Sequence, residues 1–595
     1  MKQLLMGNAA IAMGAIRAGV NLVTGYPGTP STEILETVAK NNPGDIYVEW
    51  STNEKSAMEV AAGAAYTGAR TMVTMKQVGL NVASDPLMSL AYIGVKGGMV
   101  VVVADDPGPI SSQTEQDTRR FAAFSKLPVF DPASPEEAYE MIGEAFDYSE
   151  KYHTPVLFRP TTRICHGCAA IEMDGERKIN RPEGFIKDSK WVIFPRLSYQ
   201  SHLMIEERNP KIGEDFSTYH RNELSGGGKK GIAAGGVSYQ YVREALKGID
   251  SEYKLLKIAT PFPFPEPLAL DFLLGLDEVL VLEELDPVIE QALLELCGKR
   301  RLPVTIKGKL TNTVPHAGEF TPQSVQSAVF GFLGLEEPQA AAEELPQLPM
   351  RPPVLCAGCP HRASFYAVKQ AMKGQKAVFC GDIGCYTLGN AAPLFMTDTC
   401  LCMGADVTIA QGLHHIEPDV RHFSFIGDST FFHTGIAGVV NAVYNQSDIT
   451  LIVLDNSTTA MTGHQPHPGI GKTMMGEVSE KISIEKVLKA LGVACVKKAD
   501  PLDLKAAVKA VKEADAADGV SAVIFESPCI AVTKPRPAFS VDTDKCTGCR
   551  RCIKELGCPA IAMDGKKAVI EPSMCYGCSI CAQVCPFDAI GGEKQ

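Results

Sequence analysis

The sequence predicts a multidomain α/β protein that ends in a small cysteine-rich domain. Three observations predict this class. Apolar, β-branched runs such as Met99 to Asp106 alternate with Ala- and Gly-rich stretches that have a helical pattern. Pro-rich segments interrupt the chain from Glu336 to Pro353 and from Thr533 to Pro537, and neither can continue a helix or a sheet. Eight of the 19 cysteines fall in the last fifty residues.

Length and composition narrow the function classes. A chain of 595 residues is too long for a single hydrophobic core, and 45% hydrophobic with 21% charged residues is typical of globular protein. The formal net charge of −12 argues against nucleic acid or an anionic membrane as a partner. No apolar run reaches the roughly 18 residues of a membrane span. Clustered cysteines without a secretion signal indicate metal ligands in a reducing compartment, so we expect a cytoplasmic protein.

The chain order of strand-like and helical segments predicts where the domains lie. The first α/β domain is expected at residues 1–195. After the Gly-rich segment Ser225 to Lys230, the runs GIAAGG, LLKIATP and EVLVLEEL predict a smaller α/β domain at 225–335. The runs FSFIGD, TLIVLDN and AVIFESP predict a third α/β domain at 354–532, and the cysteine-rich domain takes 538–595.

The cysteines of the tail have the spacing of [4Fe–4S] ligands. The run CYGCSICAQVCP is C-x2-C-x2-C-x3-C-P, as in bacterial two-cluster ferredoxins, where the fourth cysteine of each run ligates the other cluster. Two ligand sets follow, which we call the first and the second tail set. The first tail set is Cys546, Cys549, Cys552 and Cys585; the second is Cys575, Cys578, Cys581 and Cys558.

The earlier of the two runs departs from this pattern. Five residues rather than three separate Cys552 from Cys558, so one cluster could have an unusual potential or be labile. Paired CxxC knuckles also bind zinc, which is the alternative for this domain.

The third domain has polar residues where two neighbouring strands are expected to end. Asp428 follows one strand-like run and Asn456 the next, with a helical stretch between them. In a parallel β-α-β unit the carboxyl ends of the two strands lie side by side, where ligands bind. A carboxylate, an amide oxygen and the carbonyl of Thr458 are ligands that suit Mg²⁺ carrying a diphosphate. The alternative is an ordinary β-α-β core with polar strand ends.

This segment resembles the thiamine-diphosphate-binding motif, a Gly-Asp-Gly followed by an Asn, except that Ser429 replaces the second Gly. Thiamine-dependent enzymes also need a Glu that hydrogen-bonds the aminopyrimidine ring. Glu54 stands in the usual context, an Asn-Glu pair that opens an Ala-rich helix. An ordinary acid at a helix N-terminus is the alternative for Glu54.

The whole chain resembles the 2-oxoacid:ferredoxin oxidoreductases, and within them the alpha subunit of the indolepyruvate enzymes. The motifs are GYPGTPSTEI, the Glu54 helix, CAGCPHRA, DIGCYTLG, CMGAD, GDSTFFHTG, DNSTTAMTGHQPHPG and the two-cluster tail, in the order of that family. The resemblance implies two thiamine-diphosphate-binding-fold domains, a smaller transketolase-C-terminal-like α/β domain at 225–335 and a two-cluster ferredoxin domain.

The resemblance also implies a role for individual residues. Glu54 activates the cofactor, and Thr29 meets the substrate carboxylate. Gly404, Gly427 and Ser429 approach the diphosphate, and Asp428, Asn456 and Thr458 hold Mg²⁺. His433 and His464 are candidates for proton transfer or aryl contact, with an ordinary structural histidine as the alternative for each. A third [4Fe–4S] cluster beside thiamine would take its ligands from Cys356, Cys359, Cys385 and Cys529, here called the third set.

The implied reaction is oxidative decarboxylation of an aryl 2-oxoacid, indolepyruvate, with coenzyme A to an acyl-CoA and CO₂. Electrons would leave one at a time through the clusters to an external ferredoxin. A smaller beta subunit is expected, together with a dimer of heterodimers and sensitivity to oxygen. The alternatives are an electron-transfer or scaffold subunit without thiamine chemistry, and the same chemistry on another 2-oxoacid. A non-oxidative thiamine enzyme would not need the clusters.

Among the remaining cysteines, Cys165 and Cys168 are expected to be surface-loop thiols. Cys297, Cys400, Cys402 and Cys495 are expected to lie in the core.

Overall fold

The computed structural model describes residues 2–592 except 174, 250, 338–345 and 347. The chain forms two compact units, Met1–Glu344 and Leu345–Gln595. The predicted linker from Glu336 to Pro353 lies partly outside the described residues, and the division into four domains stays a prediction. Among the described residues, no helix combines the length and apolar character needed to cross a membrane.

The first unit contains a six-stranded parallel sheet, a five-stranded sheet with one antiparallel edge strand and a separate antiparallel pair of strands. Its strands are β1 (Lys2–Met6), β2 (Leu22–Gly25), β3 (Tyr47–Trp50), β4 (Thr71–Lys76), β5 (Met99–Ala104), β6 (Val129–Phe130), β7 (Val156–Phe158), β8 (Cys168–Glu172), β9 (Glu223–Gly226), β10 (Lys230–Gly235), β11 (Lys254–Ile258), β12 (Glu278–Leu282) and β13 (Thr305–Lys307). Its helices are α1 (Gly7–Arg17), α2 (Thr32–Lys40), α3 (Glu54–Ala65), α4 (Gln77–Ile93), α5 (Thr118–Ser125), α6 (Pro135–Tyr152), α7 (Thr162–His166), α8 (Pro195–Ser217), α9 (Gly236–Ala245), α10 (Glu266–Leu273), α11 (Val288–Arg300) and α12 (Pro322–Leu333).

A six-stranded parallel sheet, in the order β3-β2-β4-β5-β7-β6, organises the first part of this unit. The Val-rich strand β5 is completely buried, as the predicted strand from Met99 requires. The apolar faces of α3 and α4 pack with β4 and β5 in one core. The carboxyl ends of β2, β4 and β5 therefore lie together at one edge of the sheet.

The smaller sheet has the order β13-β12-β10-β11-β9, with β9 as its antiparallel edge strand. A buried ion-pair network joins it to the first sheet. The Arg119 guanidinium, which is 1% exposed, pairs with Asp117 at 2.6 Å and with Glu283 at 2.9 Å. Removing one partner from such a buried pair leaves an uncompensated charge, so this network fixes how the two sheets of the unit pack.

The second unit contains one five-stranded parallel sheet and the cysteine-rich tail. Its strands are β14 (Ala377–Cys380), β15 (Arg421–Gly427), β16 (Thr450–Asp455), β17 (Cys495–Ala499), β18 (Ser521–Glu526), β19 (Phe539–Val541), β20 (Ile561–Asp564), β21 (Lys567–Ile570) and β22 (Ile590–Gly592). Its helices are α13 (Pro360–Ala371), α14 (Ala405–Ile416), α15 (Asp428–Thr430), α16 (Ile436–Tyr444), α17 (Ile484–Ala490), α18 (Leu504–Asp515), α19 (Arg551–Lys554) and α20 (Ile580–Val584).

The large sheet of this unit has the order β14-β15-β16-β18-β17, and all its strands are parallel. The predicted strands FSFIG, TLIVLD and AVIFE are its three central strands. The tail forms two small antiparallel pairs, β19 with β22 and β20 with β21. Its core of cysteines and aliphatic residues packs against α13, which carries the CAGCPHRA motif into the same unit.

Candidate active site and cluster ligands

The magnesium ligands predicted from the sequence lie at adjacent strand ends. Strands β15 and β16 pair directly, with Gly427 opposite Leu454. Asp428, the next residue, is therefore beside Asn456. The Thr458 amide donates to the Asn456 side-chain oxygen at 3.2 Å, which places Thr458 in the same loop. All three residues are at most 5% exposed.

The Asp428 carboxylate is held by backbone amides of its own loop and of the neighbouring one. Its Oδ1 accepts from the Ser429 amide at 2.8 Å, and its Oδ2 accepts from the amides of Asn456 at 3.1 Å and Ser457 at 2.8 Å. Complete burial opposes ionisation, but His467 and these amides favour it and keep the pKa of Asp428 below its usual value. Asp428 is thus a preorganised carboxylate.

Two histidines that the sequence analysis did not assign complete this loop cluster. The His467 Nε2 lies 3.1 Å from Asp428 Oδ2, and the His361 Nε2 lies 3.1 Å from the side-chain nitrogen Nδ2 of Asn456. Burial lowers the pKa of His361 to about 4, so this imidazole is neutral at physiological pH. The His-x-x-His in HQPHPG and the His of CPHR were the available signals, but neither indicates which strand end its histidine would meet.

Packing alone explains why glycine occupies the two positions expected near the diphosphate. Gly404 precedes α14 with φ +76°, and a Cβ there would clash with the Thr434 hydroxyl. A Cβ on Gly427 would clash with the Tyr386 ring. The Gly404 amide donates to Asp382 at 2.9 Å, which fixes the loop before α14. Backbone approach to a diphosphate at these glycines stays a prediction.

The two other histidines proposed from the sequence occupy different environments. His433 is buried in a π-helical turn, Phe431–Gly435, one turn after Asp428. Its Nδ1 lies 3.4 Å from the Thr434 hydroxyl. His464 is exposed, in a left-handed conformation with φ +69°. Burial near the strand end favours His433 over His464 as a group that could act on a bound substrate.

In the first unit, Glu54 is the first residue of α3, as the Asn-Glu pattern predicts. The Asn53 side chain caps the helix by accepting from the Ser56 amide at 2.8 Å. Glu54 is only 5% exposed, and a Cβ on Gly79 would come within 2.5 Å of its Oε1. Thr29 is partly buried in the loop between β2 and α2. Both residues follow carboxyl ends of the six-stranded sheet.

The tail brings together the two cysteine sets assigned from spacing. The Cys552 thiol interacts electrostatically with the other three members of the first tail set, and the Cys581 thiol with the other three members of the second. Each set lines a pocket of its own. The longer spacing between Cys552 and Cys558 therefore still returns Cys558 to the second tail set.

The third set also converges. The thiols of Cys359 and Cys385 interact with Cys356, and Cys385 with Cys529. Burial raises the pKa of Cys359 to about 12 and of Cys385 to about 11. The Cys529 amide donates to the Asn456 carbonyl at 2.9 Å, so this set adjoins the magnesium loop.

The third set also adjoins the second tail set. The pocket of the second tail set is lined by Ala357 and Gly358, which lie between Cys356 and Cys359. The Tyr576 hydroxyl, from the loop that carries Cys575 and Cys578, donates to the Ile530 carbonyl at 2.5 Å. The order along the unit is thus magnesium loop, third set, second tail set.

Three of the other cysteine predictions are wrong. Cys400 and Cys402 are exposed rather than in the core, because both lie in the irregular loop before α14 rather than on a strand or a packed helix face. Cys165 is buried rather than at the surface, because it lies on the inner side of the short helix α7.

Comparisons with known proteins agree with this arrangement. Residues 13–205 match the family described as pyruvate flavodoxin/ferredoxin oxidoreductase, thiamine diphosphate-binding. Residues 382–525 match the C-terminal thiamine pyrophosphate-binding domain of thiamine enzymes, and residues 538–586 match a 4Fe–4S dicluster domain.

Two full-length relatives decide the family. The indolepyruvate oxidoreductase subunit IorA of Thermococcus kodakarensis is 43% identical over 100% of this chain and 97% of its own. The subunit of the same name from Methanothermobacter thermautotrophicus is 41% identical over 100% of this chain and 98% of its own. The chain belongs to the indolepyruvate oxidoreductase IorA family. A ketoisovalerate oxidoreductase subunit, VorB, of the latter organism is 26% identical over 44% of this chain.

Membership of the IorA family settles the cofactor classes. The chain has thiamine-diphosphate-binding domains and a two-cluster [4Fe–4S] domain, which decides against zinc in the tail. The domain matches do not name magnesium, so its binding site stays a prediction. Within the described residues, no three His, Cys, Asp or Glu side chains group closely enough to hold a single metal ion. The proposed magnesium set contains one carboxylate, Asp428, with amide and carbonyl oxygens beside it, a hard-oxygen set that fits Mg²⁺ bound to a diphosphate.

Asp428→Asn is expected to weaken Mg²⁺-dependent binding of thiamine diphosphate by at least about 10–100-fold, the range for disturbed metal-site residues. The variant keeps the side-chain size but removes the single carboxylate. Glu526→Gln is the matched control, since Glu526 ends the neighbouring strand β18 and pairs with Lys498. Calorimetric titration of the purified protein with the cofactor, with and without Mg²⁺, measures both. Unchanged affinity in Asp428→Asn would remove Asp428 from the magnesium set.

Proposed function

We propose that the chain is the thiamine-binding, cluster-carrying subunit of an indolepyruvate:ferredoxin oxidoreductase. It would catalyse oxidative decarboxylation of an aryl 2-oxoacid with coenzyme A, giving an acyl-CoA and CO₂. The main observation behind the proposal is that the magnesium loop, the third set and the second tail set adjoin one another in that order. The magnesium loop adjoins the third cysteine set through Cys529 and Asn456, and that set adjoins the second tail set through Gly358 and Tyr576.

The residues of the chain would act by binding and by proton transfer. Bound thiamine diphosphate supplies the electron sink that lets a 2-oxoacid lose CO₂. Glu54 would exchange a proton with the aminopyrimidine ring, and Asp428, Asn456 and Thr458 would hold the diphosphate through Mg²⁺. Thr29 would contact the substrate carboxylate, and His433 the reacting substrate.

The clusters would carry the electrons away. A two-electron oxidation coupled to an external ferredoxin needs one-electron carriers, and the third set would receive electrons before the second tail set. We therefore propose a third [4Fe–4S] cluster ligated by Cys356, Cys359, Cys385 and Cys529. Cluster chemistry would make the enzyme sensitive to oxygen.

The partners are proposed from the relatives. The relatives are named as subunits, so we propose a smaller second subunit, a dimer of heterodimers and ferredoxin as the electron acceptor. A cytoplasmic location would supply the reducing conditions that cluster-ligating thiols need.

An anaerobic reduction assay tests the proposal. Indolepyruvate and coenzyme A are added to the chain purified with its partner, and loss of the visible cluster absorbance is followed. We expect rapid bleaching that requires thiamine diphosphate. Phenylpyruvate and ketoisovalerate, assayed in parallel, report whether an aryl substrate is preferred. If dithionite bleaches the clusters but no 2-oxoacid does, the chain is an electron carrier served by another donor.

A further inference from the structure

Lys76 ends strand β4 at the same sheet edge as Thr29 and Glu54. Strand β4 lies between β2 and β5, and the loops after all three strands meet at this edge. In open parallel sheets this carboxyl edge is where ligands bind. The sequence analysis assigned no role to Lys76, which follows five buried residues of the strand.

The side chain of Lys76 runs along this edge and is partly buried. Its stem packs on the GYPGTP loop, since a Cβ on Gly28 would lie 2.9 Å from the Lys76 Cδ. Its ammonium donates to the Ser111 carbonyl at 3.0 Å. Lys76 therefore contacts both the loop that contains Thr29 and the loop after β5, to which Ser111 belongs.

The ammonium has no counter-ion at contact distance. Among the residues that the structure describes, no carboxylate oxygen lies within 4 Å of the Lys76 Nζ. The nearby Asp106 already accepts from the Ser111 amide at 2.8 Å and from the Thr162 hydroxyl at 2.6 Å. Burial lowers the pKa of Lys76, and the charges of Asp106 and Glu54 only partly offset this.

Such an ammonium can gain a charge-assisted hydrogen bond from a small anion. Among the residues that the structure describes, it donates to the Ser111 carbonyl alone, so two of its three donor protons are available to a ligand. The 2-oxoacid of the proposed reaction carries a carboxylate. We propose that Lys76 binds the carboxylate of the 2-oxoacid substrate beside Thr29 and so selects anionic substrates. This inference rests on the proposed function.

The competing explanation is structural. Lys76 could only tie the loop after β5 to the sheet through Ser111. A structural lysine would affect stability but not the discrimination between a charged ligand and a neutral one of the same shape.

The test uses the purified complex with thiamine diphosphate and Mg²⁺. For each variant, the KM and kcat for the aryl 2-oxoacid are measured, with the inhibition constants of an arylpropionate and of its primary amide. In Lys76→Met we expect the KM for the 2-oxoacid and the inhibition constant of the arylpropionate to rise about 10–100-fold, as for loss of a charge-assisted hydrogen bond. The inhibition constant of the neutral primary amide should change little.

Three further variants make the result decisive. Lys76→Gln can still donate to Ser111 but has no charge, so it should show the same loss even if the Met variant folds poorly. Lys76→Arg should retain most of the discrimination. Lys96→Met removes a lysine of the same unit that pairs with Glu183, and should match the unmodified enzyme.

The outcomes separate this inference from the proposed function. If the unmodified enzyme turns over the 2-oxoacid but Lys76→Gln keeps its preference for the carboxylate inhibitor, Lys76 is structural and the inference falls. If the unmodified enzyme turns over no 2-oxoacid, the proposed function falls and the inference falls with it.

Discussion

Replacing Glu54 with Gln is expected to slow cluster reduction by a 2-oxoacid by about 10²–10⁴-fold, the range contributed by a positioned acid–base group. Gln has the same shape but cannot exchange a proton with the aminopyrimidine ring. Reduction of the clusters by dithionite should be unchanged, because the electron carriers are in the other unit of the chain.

The surroundings of Glu54 indicate that Gln can replace it without disturbing the fold of this region. The residue is nearly completely buried at the start of α3, and Gly79 leaves room for its side chain and for an amide of equal size. The helix cap is made by Asn53, so the variant leaves it intact. Glu59→Gln, further along the exposed side of α3, is the control because Glu59 is exposed and pairs with Lys55 at the surface.

Anaerobic stopped-flow measurement of bleaching distinguishes the possibilities. A Glu54→Gln enzyme that bleaches at the unmodified rate would show that Glu54 is an ordinary acid at a helix N-terminus. A slow variant that still binds thiamine diphosphate with unchanged affinity would place the loss in the chemical step rather than in cofactor binding.

The residues that the sequence predicted well are those whose position follows from a repeating geometry. Asp428 and Asn456 end adjacent parallel strands, and a β-α-β unit always brings such ends together. The tail cysteines follow fixed spacings along tight loops. The Asn-Glu pattern located both the cap and the first residue of α3, because capping is a local interaction.

The residues that the sequence did not reveal are positioned by irregular loops. His467 meets Asp428 from a long loop after β16, and its spacing has no period that predicts the contact. Lys76 has the sequence position of an ordinary strand end, since only the packing of the loops after β2 and β5 shows that its stem lies on Gly28 and its ammonium donates to Ser111. The exposure of Cys400 and Cys402 likewise depends on the path of the loop before α14.

The third cysteine set is the feature whose loss should be most informative about electron flow. Its four residues come from three separate parts of the chain, so no single spacing predicted it. The structure nevertheless brings the four thiols together between the magnesium loop and the second tail set. A cluster formed there would adjoin the magnesium loop on one side and the second tail set on the other.

Cys529→Ala is therefore expected to lower the iron content by about four atoms per chain, the content of one [4Fe–4S] cluster. Turnover with ferredoxin should fall by at least about 10–100-fold, as for other damaged metal sites. Both tail clusters should still be reduced by dithionite, which electron paramagnetic resonance would show.

Cys495→Ala is the matched control, because Cys495 lies on β17 of the same sheet and belongs to none of the three sets. Unchanged iron content in Cys529→Ala would mean that the third set holds no cluster. The second tail set would then be the first electron acceptor, and its contact with the turn between Cys356 and Cys359 would be a packing contact only. Lower iron with unchanged turnover would instead mean that the third cluster is structural and that electrons reach the tail without it.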